Sequence, residues 1–145
     1  MSYVTEEQAI FGYMQTKWNT VTFGGMAYEN NPYPVSDECY SEVAIIHFGA
    51  SQVSLGGRTM RSRYRKWGYV QLDIFDVINK GKRRTTTICS EFCRLFQSLE
   101  LVTTDQETIC FLTPDVRTLG AKNDRYRTII RCQFYRDELA VAAAP

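Results

Sequence analysis

The stretch that most constrains the fold covers residues 125–136. There Tyr126, Thr128, Ile130, Cys132 and Phe134 alternate with Arg125, Arg127, Ile129, Arg131, Gln133 and Tyr135. A period of two puts the first set on one face of a strand and the second set on the other. One face therefore belongs to a core, where Ile130 and Phe134 are expected, and the other meets water or a neighbour. Residues 64–78 repeat the pattern, with Val70, Leu72 and Ile74 on the core side and Tyr69, Gln71, Asp73 and Phe75 opposite. Residues 40–48 are a third β-prone run, with Val43, Ile45 and His47 facing away from Ala44, Ile46 and Phe48. Residues 108–112 supply a fourth. The segment 49–63 carries Gly56-Gly57 near its centre and reads as a long hairpin arm between the first two strands.

Two helices complete the pattern. Thr5-Glu6-Glu7-Gln8 has the form of a capping box. Ala9, Ile10, Tyr13, Met14 and Trp18 then recur at the helical period, which predicts a helix over about 5–19 with Ile10, Met14 and Trp18 in the core. It should stop before the β-branched run at Thr20, Val21 and Thr22 and the Gly24-Gly25 pair. A second helix, from about 85 to 99, has an apolar stripe of Ile88, Phe92, Leu95, Phe96 and Leu99. Pro32 and Pro34 make residues 28–38 an extended connector, and residues 114–124, with Pro114 and Gly120, read as a polar loop. The order is helix, strand, strand, helix, strand, strand. It predicts an α+β fold in which a mainly antiparallel sheet of about four strands carries two helices packed on one face. A length of 145 residues suits one domain over 1–145, with a fraying tail at 137–145.

Parts for catalysis are scarce. His47 is the only histidine, and with Ile46 and Phe48 beside it reads as a strand residue with no relay partner. The five cysteines, Cys39, Cys89, Cys93, Cys110 and Cys132, form no C-x-x-C pair and read as small buried hydrophobes. Asp73 and Asp76, three apart in a strand, point to opposite faces and do not share a site. Gly24-Gly25, Gly56-Gly57 and Gly81-Lys82 fit no phosphate-loop pattern. The expectation is no catalytic residue, no cofactor and no metal, hence not an enzyme. No apolar stretch approaches the roughly 18 residues of a membrane-spanning helix.

The net charge of +1 hides a strong polarity along the chain. Residues 1–57 hold one base against six acids, net −5, whereas residues 58–84 hold nine bases against two acids, net +7. Such asymmetry usually concerns a partner. Arg58, Arg61, Arg63, Arg65, Lys66, Lys82, Arg83 and Arg84 are accordingly the candidate contact residues. One reading docks the arm onto acids of an adjacent copy or another protein, a heterologous contact that closes into a ring when the rotation permits. The other takes residues 58–67, with Tyr64 and Trp67 among the bases, as a nucleic-acid-binding module. Near-neutrality and the absence of a recognition motif favour the first.

An ordered set of residues supports the same choice. After the N-terminal helix come Asn31-Pro32-Tyr33-Pro34, a strand, a long loop, and then Arg65, Gly68, Val70, Leu72, Ile74 and Phe75. A turn at Gly81, a helix with Phe92 and Phe96, Ile109-Cys110-Phe111 before Pro114, Gly120 and a closing strand over 126–134 follow. Across residues 5–136 this series resembles the tail terminator (tail completion) proteins of long-tailed bacteriophages. The resemblance implies a subunit of a homo-oligomeric, hexameric ring on the end of the tail tube. Such a ring stops tube polymerisation and provides the head-attachment surface. The implied partners are further copies, the tail tube protein and a head–tail connector protein, with DNA passing through the lumen and no membrane. The implied location is the head-proximal end of the virion tail, after assembly in the host cytoplasm. A head–tail connector (head completion) role is the alternative. The chain departs from the family at Lys80, Lys82, Arg83 and Arg84, where a glycine-flanked turn of small residues is frequent.

Overall fold

The computed structural model describes residues 3–28, 39–54, 61–77, 82–122 and 125–141. The chain runs α1 (Tyr3–Lys17), a single turn α2 (Thr20–Phe23), β1 (Gly25–Tyr28), β2 (Tyr40–Ser54), β3 (Arg61–Val77), α3 (Arg83–Phe96), β4 (Glu100–Val102), β5 (Thr108–Lys122) and β6 (Arg125–Val141). The strands form one six-stranded sheet in the order β1-β2-β3-β6-β5-β4, curled into a half-barrel. The pairs β2–β3, β3–β6, β5–β6 and β4–β5 are antiparallel, and β1 lies parallel to β2.

This corrects the expected mainly antiparallel sheet of about four strands. The chain is mostly sheet, and the sheet is mixed. The two additional strands are too short to carry a pattern: β1 has four residues and β4 three. β1 exists because Gly24 lets the chain turn in tightly beside β2. Its φ is +89°, and a Cβ there would meet the Cys39 carbonyl oxygen at 2.5 Å. The long strands also outrun their expected bounds. Residues 114–122, read as a loop, continue β5, because Pro114 and Gly120 each sit beside a register shift that absorbs them. Residues 137–141, expected to fray, pair with Arg61–Arg65 of β3. The connector at 29–38 and the arm's tip at 55–60 lie outside the described residues.

Both long helices pack on one face. Ile10, Met14 and Trp18 of α1 join Ile88, Phe92, Leu95 and Phe96 of α3 over Val70, Leu72, Ile74, Ile130 and Phe134, and all are buried. Phe96 connects the layers, with ring centroids 5.5 Å from Tyr13, 4.7 Å from Phe92 and 5.2 Å from Phe111. The Tyr13 hydroxyl donates to the Leu95 carbonyl at 2.8 Å, tying the helices together. Gly68 makes room for the Phe134 ring opposite it. Helix α1 begins at Tyr3, so Thr5 lies inside it and does not cap it; its hydroxyl donates to Asp105 at 3.0 Å.

Candidate functional site

Because the even positions of β3 and β6 face the helices, the odd positions form a face that none of the described helices covers. That face is built of rings and guanidinium groups in alternation. Trp67 and Tyr135 lie opposite each other in register with ring centroids 5.3 Å apart, and Phe48 of β2 stacks on Tyr69 at 4.9 Å. Arg65 lies 4.2 Å from the Tyr135 centroid, Arg131 5.0 Å from Tyr69 and Arg127 5.4 Å from Phe75. These are cation–π distances. Phe48, at the margin of the face, is 48% exposed.

The charges on this face are largely matched within the subunit. Arg65 makes a two-pronged contact with Asp137 at 2.8 and 3.1 Å, and Arg127 meets Asp73 at 2.9 Å. Arg131 makes no ion pair among the described residues; it rests on the Tyr69 ring, with Asp115 opposite it in register.

The candidate contact set does not stay together. Arg65 belongs to the helix-free face, whereas Lys66 points to the helix side, 5.8 Å from the Tyr3 ring. Lys82, Arg83 and Arg84 open α3, and Arg84 stands 3.8 Å from the buried carboxylate of Asp76. Arg58 lies outside the described residues, as do the side chains of Arg61 and Arg63; the backbone of the last two belongs to β3. Asp73 and Asp76 do diverge to opposite faces, and Asp76 is fully buried.

A buried ionic cluster on the helix side was not anticipated. Arg136 has no exposed side-chain surface, and its guanidinium meets Glu6 at 2.7 Å, Glu107 at 2.9 Å and Glu138 at 3.2 Å. His47 bridges the cluster to solvent, 3.3 Å from Glu6 and 3.4 Å from Glu7. Burial, outweighing the pull of Arg136, raises the Glu6 carboxyl above its ordinary range. Burial works against the charge on Arg136 too, but its three carboxylates outweigh that and hold it above the usual arginine range. The signal was in the alternation of β6, which runs inward from Phe134 to Arg136.

A cavity of about 420 Å³ lies between α3 and the far half of β5. From α3 and its N-cap it takes Lys82, Thr85, Thr86, Cys89, Ser90 and Cys93; from the sheet, Val116, Thr118 and Thr128. Burial pushes the Cys89 thiol up to about 11 and raises Cys93 as well.

A solved structure shares this fold. It matches 100% of this chain and 99% of its own with a TM-score of 0.71, at 16% sequence identity. Its name states no activity, and an identity this low carries the architecture alone. No protein-family model and no curated protein matches the sequence. Among the described residues no helix is long and apolar enough to cross a membrane, and no group of three or more His, Cys, Asp or Glu side chains is placed to hold a metal ion.

Proposed function

We propose that this chain is a non-enzymatic virion assembly subunit of the tail terminator kind, forming a ring on the tail tube that ends tube growth and offers a surface to the head. The observation that carries the reading is the helix-free sheet face. Tyrosine, tryptophan, phenylalanine and arginine are the residues enriched where protein surfaces bury each other, and here they form a continuous band across β2, β3 and β6. Arg65 and Arg127 are neutralised by Asp137 and Asp73, which leaves little free positive field for nucleic acid and suits contact with protein. In this reading the band meets an adjacent copy or the tube protein, and DNA is met only as it passes through the ring.

The test is electron microscopy of particles assembled without this polypeptide. Overlong tails and unattached heads are expected. Tails of normal length with unattached heads would instead assign it to the head-side connector, and normal, infectious particles would end the proposal. Saturable, salt-dependent binding of nucleic acid by the isolated chain at physiological ionic strength, with no assembly, would favour the nucleic-acid reading.

A further inference from the structure

The sheet ends in two edges, and each is closed over only part of its length. β1 pairs with β2 at Tyr40–Val43. β4 pairs with β5 at Thr108–Cys110, and bonds from Phe111 N–H to Leu99 and from Ser98 N–H to Leu112 carry that closure as far as Leu112. Further along, Phe48–Ser54 of β2 and Asp115–Ala121 of β5 pair inward with β3 and β6, and outward with no described residue. The connector at 29–38 does not reach the free part of β2. Tyr28 stands level with Val43 and the chain is back at Cys39 eleven residues later, so even fully extended it climbs no further than His47.

Both free segments are seven residues long, and neither is protected against pairing. Phe48–Ser54 holds no charged residue and no proline, the devices that ordinarily keep a sheet edge from meeting another chain. In Asp115–Ala121 the two charges cancel, with Asp115 4.0 Å from Arg117. Pro114, which has no N–H to give, lies just outside the segment. Apolar side chains gather on the same edges: Phe48, Val116 and Leu119 are each close to half exposed.

The two edges also fit each other. β2 and β5 run in opposite directions, since β2–β3, β3–β6 and β5–β6 are all antiparallel. Two copies side by side in the same orientation therefore bring β5 of one against β2 of the next as an antiparallel pair. Because β1 and β4 cover the first residues of oppositely directed strands, the free segments lie at opposite ends of the sheet. The copies then meet as a lap joint, each shifted along the strands relative to the last. A shift repeated in one sense is the stagger that closing a sheet into a barrel requires.

We propose that copies of this chain join by sheet addition, Asp115–Ala121 of one copy pairing antiparallel with Phe48–Ser54 of the next. A β2–β2 contact would leave the β5 edges bare, whereas this single head-to-tail contact closes both, and head-to-tail contacts are what build rings. The inference rests on the reading of the chain as an assembly subunit and names the backbone that joins the copies.

The experiment compares backbone amide exchange in dilute single-copy protein and in assembled protein, taken either free or on tails. Slowing of at least tenfold at alternate amides is expected in both 48–54 and 115–121. Slowing in one segment only, or in neither, overturns the edge joint and leaves the assembly reading standing; a chain that assembles in neither setting overturns both. The face is checked by mixing Ser51→Cys copies with copies carrying one new cysteine, under a mild added oxidant. Ser51 lies opposite Arg65, and Asp115 opposite Arg131, on the helix-free face, whereas Val116 lies opposite the buried Ile130. Ser51→Cys should therefore link to Asp115→Cys or Arg117→Cys and not to Val116→Cys or Thr118→Cys. Linking of Ser51→Cys only to itself, or equally to both faces, would overturn the proposal. The exchange measurement needs no substitution, so a variant that misfolds leaves the test intact.

Discussion

Arg136 Nε donates to Glu6 Oε2 at 2.7 Å, with both side chains sealed from water, and this bond joins residues 130 positions apart. It fastens the first turn of α1 to β6. Removing one partner of a buried pair strands the other charge, so Glu6→Ala should destabilise the protein by about 3–5 kcal/mol in urea denaturation. Glu6→Gln keeps an acceptor for the guanidinium, and Glu107 and Glu138 still balance its charge. It should cost well under half as much.

The same carboxyl makes stability depend on pH with an unusual sign. Its raised folded-state pKa, caused first by burial, means that the folded chain holds the Glu6 proton more tightly than the unfolded chain. The contribution is fully present below the ordinary carboxylate value and is lost as pH rises through the raised one. The stability deficit of Glu6→Gln relative to wild type should therefore shrink as pH rises from mildly acid to neutral. Denaturation midpoints of both proteins across that interval measure it, and parallel curves would show that Glu6 titrates normally.

Core packing around α3 gives a simpler expectation. Phe92 and Phe96 are fully buried, and their rings join the helix to the sheet. Phe92→Ala or Phe96→Ala should each cost about 3–5 kcal/mol in chemical denaturation. That is a large part of the total stability of an ordinary domain.

Two glycines should respond oppositely to alanine. At Gly68 a Cβ would meet Phe134 Cζ at 2.7 Å and the Ile46 carbonyl oxygen at 2.8 Å. Since the second obstacle is backbone, Gly68→Ala should cost about 1–3 kcal/mol. Gly12, within α1, has nothing within 4 Å of that position, and Gly12→Ala should stabilise by about 0.8–1 kcal/mol through helix propensity. Thermal melts of the pair separate packing from propensity.

On the helix-free face, Arg127 and Arg131 look equivalent in sequence but are not. Arg127 holds Asp73 within the subunit, whereas Arg131 lies on the Tyr69 ring and makes no ion pair among the described residues. Arg127→Glu should lower the melting temperature. Arg131→Gln, which sets no second carboxylate opposite Asp115, should leave it nearly unchanged and reduce the assembled mass seen by light scattering. A loss of stability in Arg131→Gln with assembly intact would remove this face from the proposed interface.

What the sequence shows of this fold depends on whether a segment carries its own periodicity. Val70, Leu72 and Ile74, and likewise Ile130 and Phe134, alternate over enough residues to declare a strand and its buried side. Ile88, Phe92 and Phe96 declare a helix in the same way. β1 and β4 are hidden because three or four residues hold no period, and they become strands only through pairing with β2 and β5. β5 is half hidden because Pro114 and Gly120 signal a loop unless the neighbouring register shifts are known. The basic residues mislead for another reason. Sequence proximity groups Arg65 with Lys66, but a strand sends them to opposite faces, and Asp137, the partner of Arg65, is 72 residues away. The buried Arg136 cluster and the cavity beside α3 are assembled from elements distant in sequence, so neither is visible before the sheet is formed.

The position of β6 between β3 and β5 has a consequence for how the protein comes into being. β6 leaves the ribosome after the five other described strands, and it is the one that unites the two halves of the sheet. Until it emerges, β3 and β5 present bare edges and Glu6 has no cation to receive it. Productive folding of the sheet must therefore wait for β6, and a nascent chain stopped short of β6 is a sticky, edge-exposed intermediate that holding chaperones would recognise.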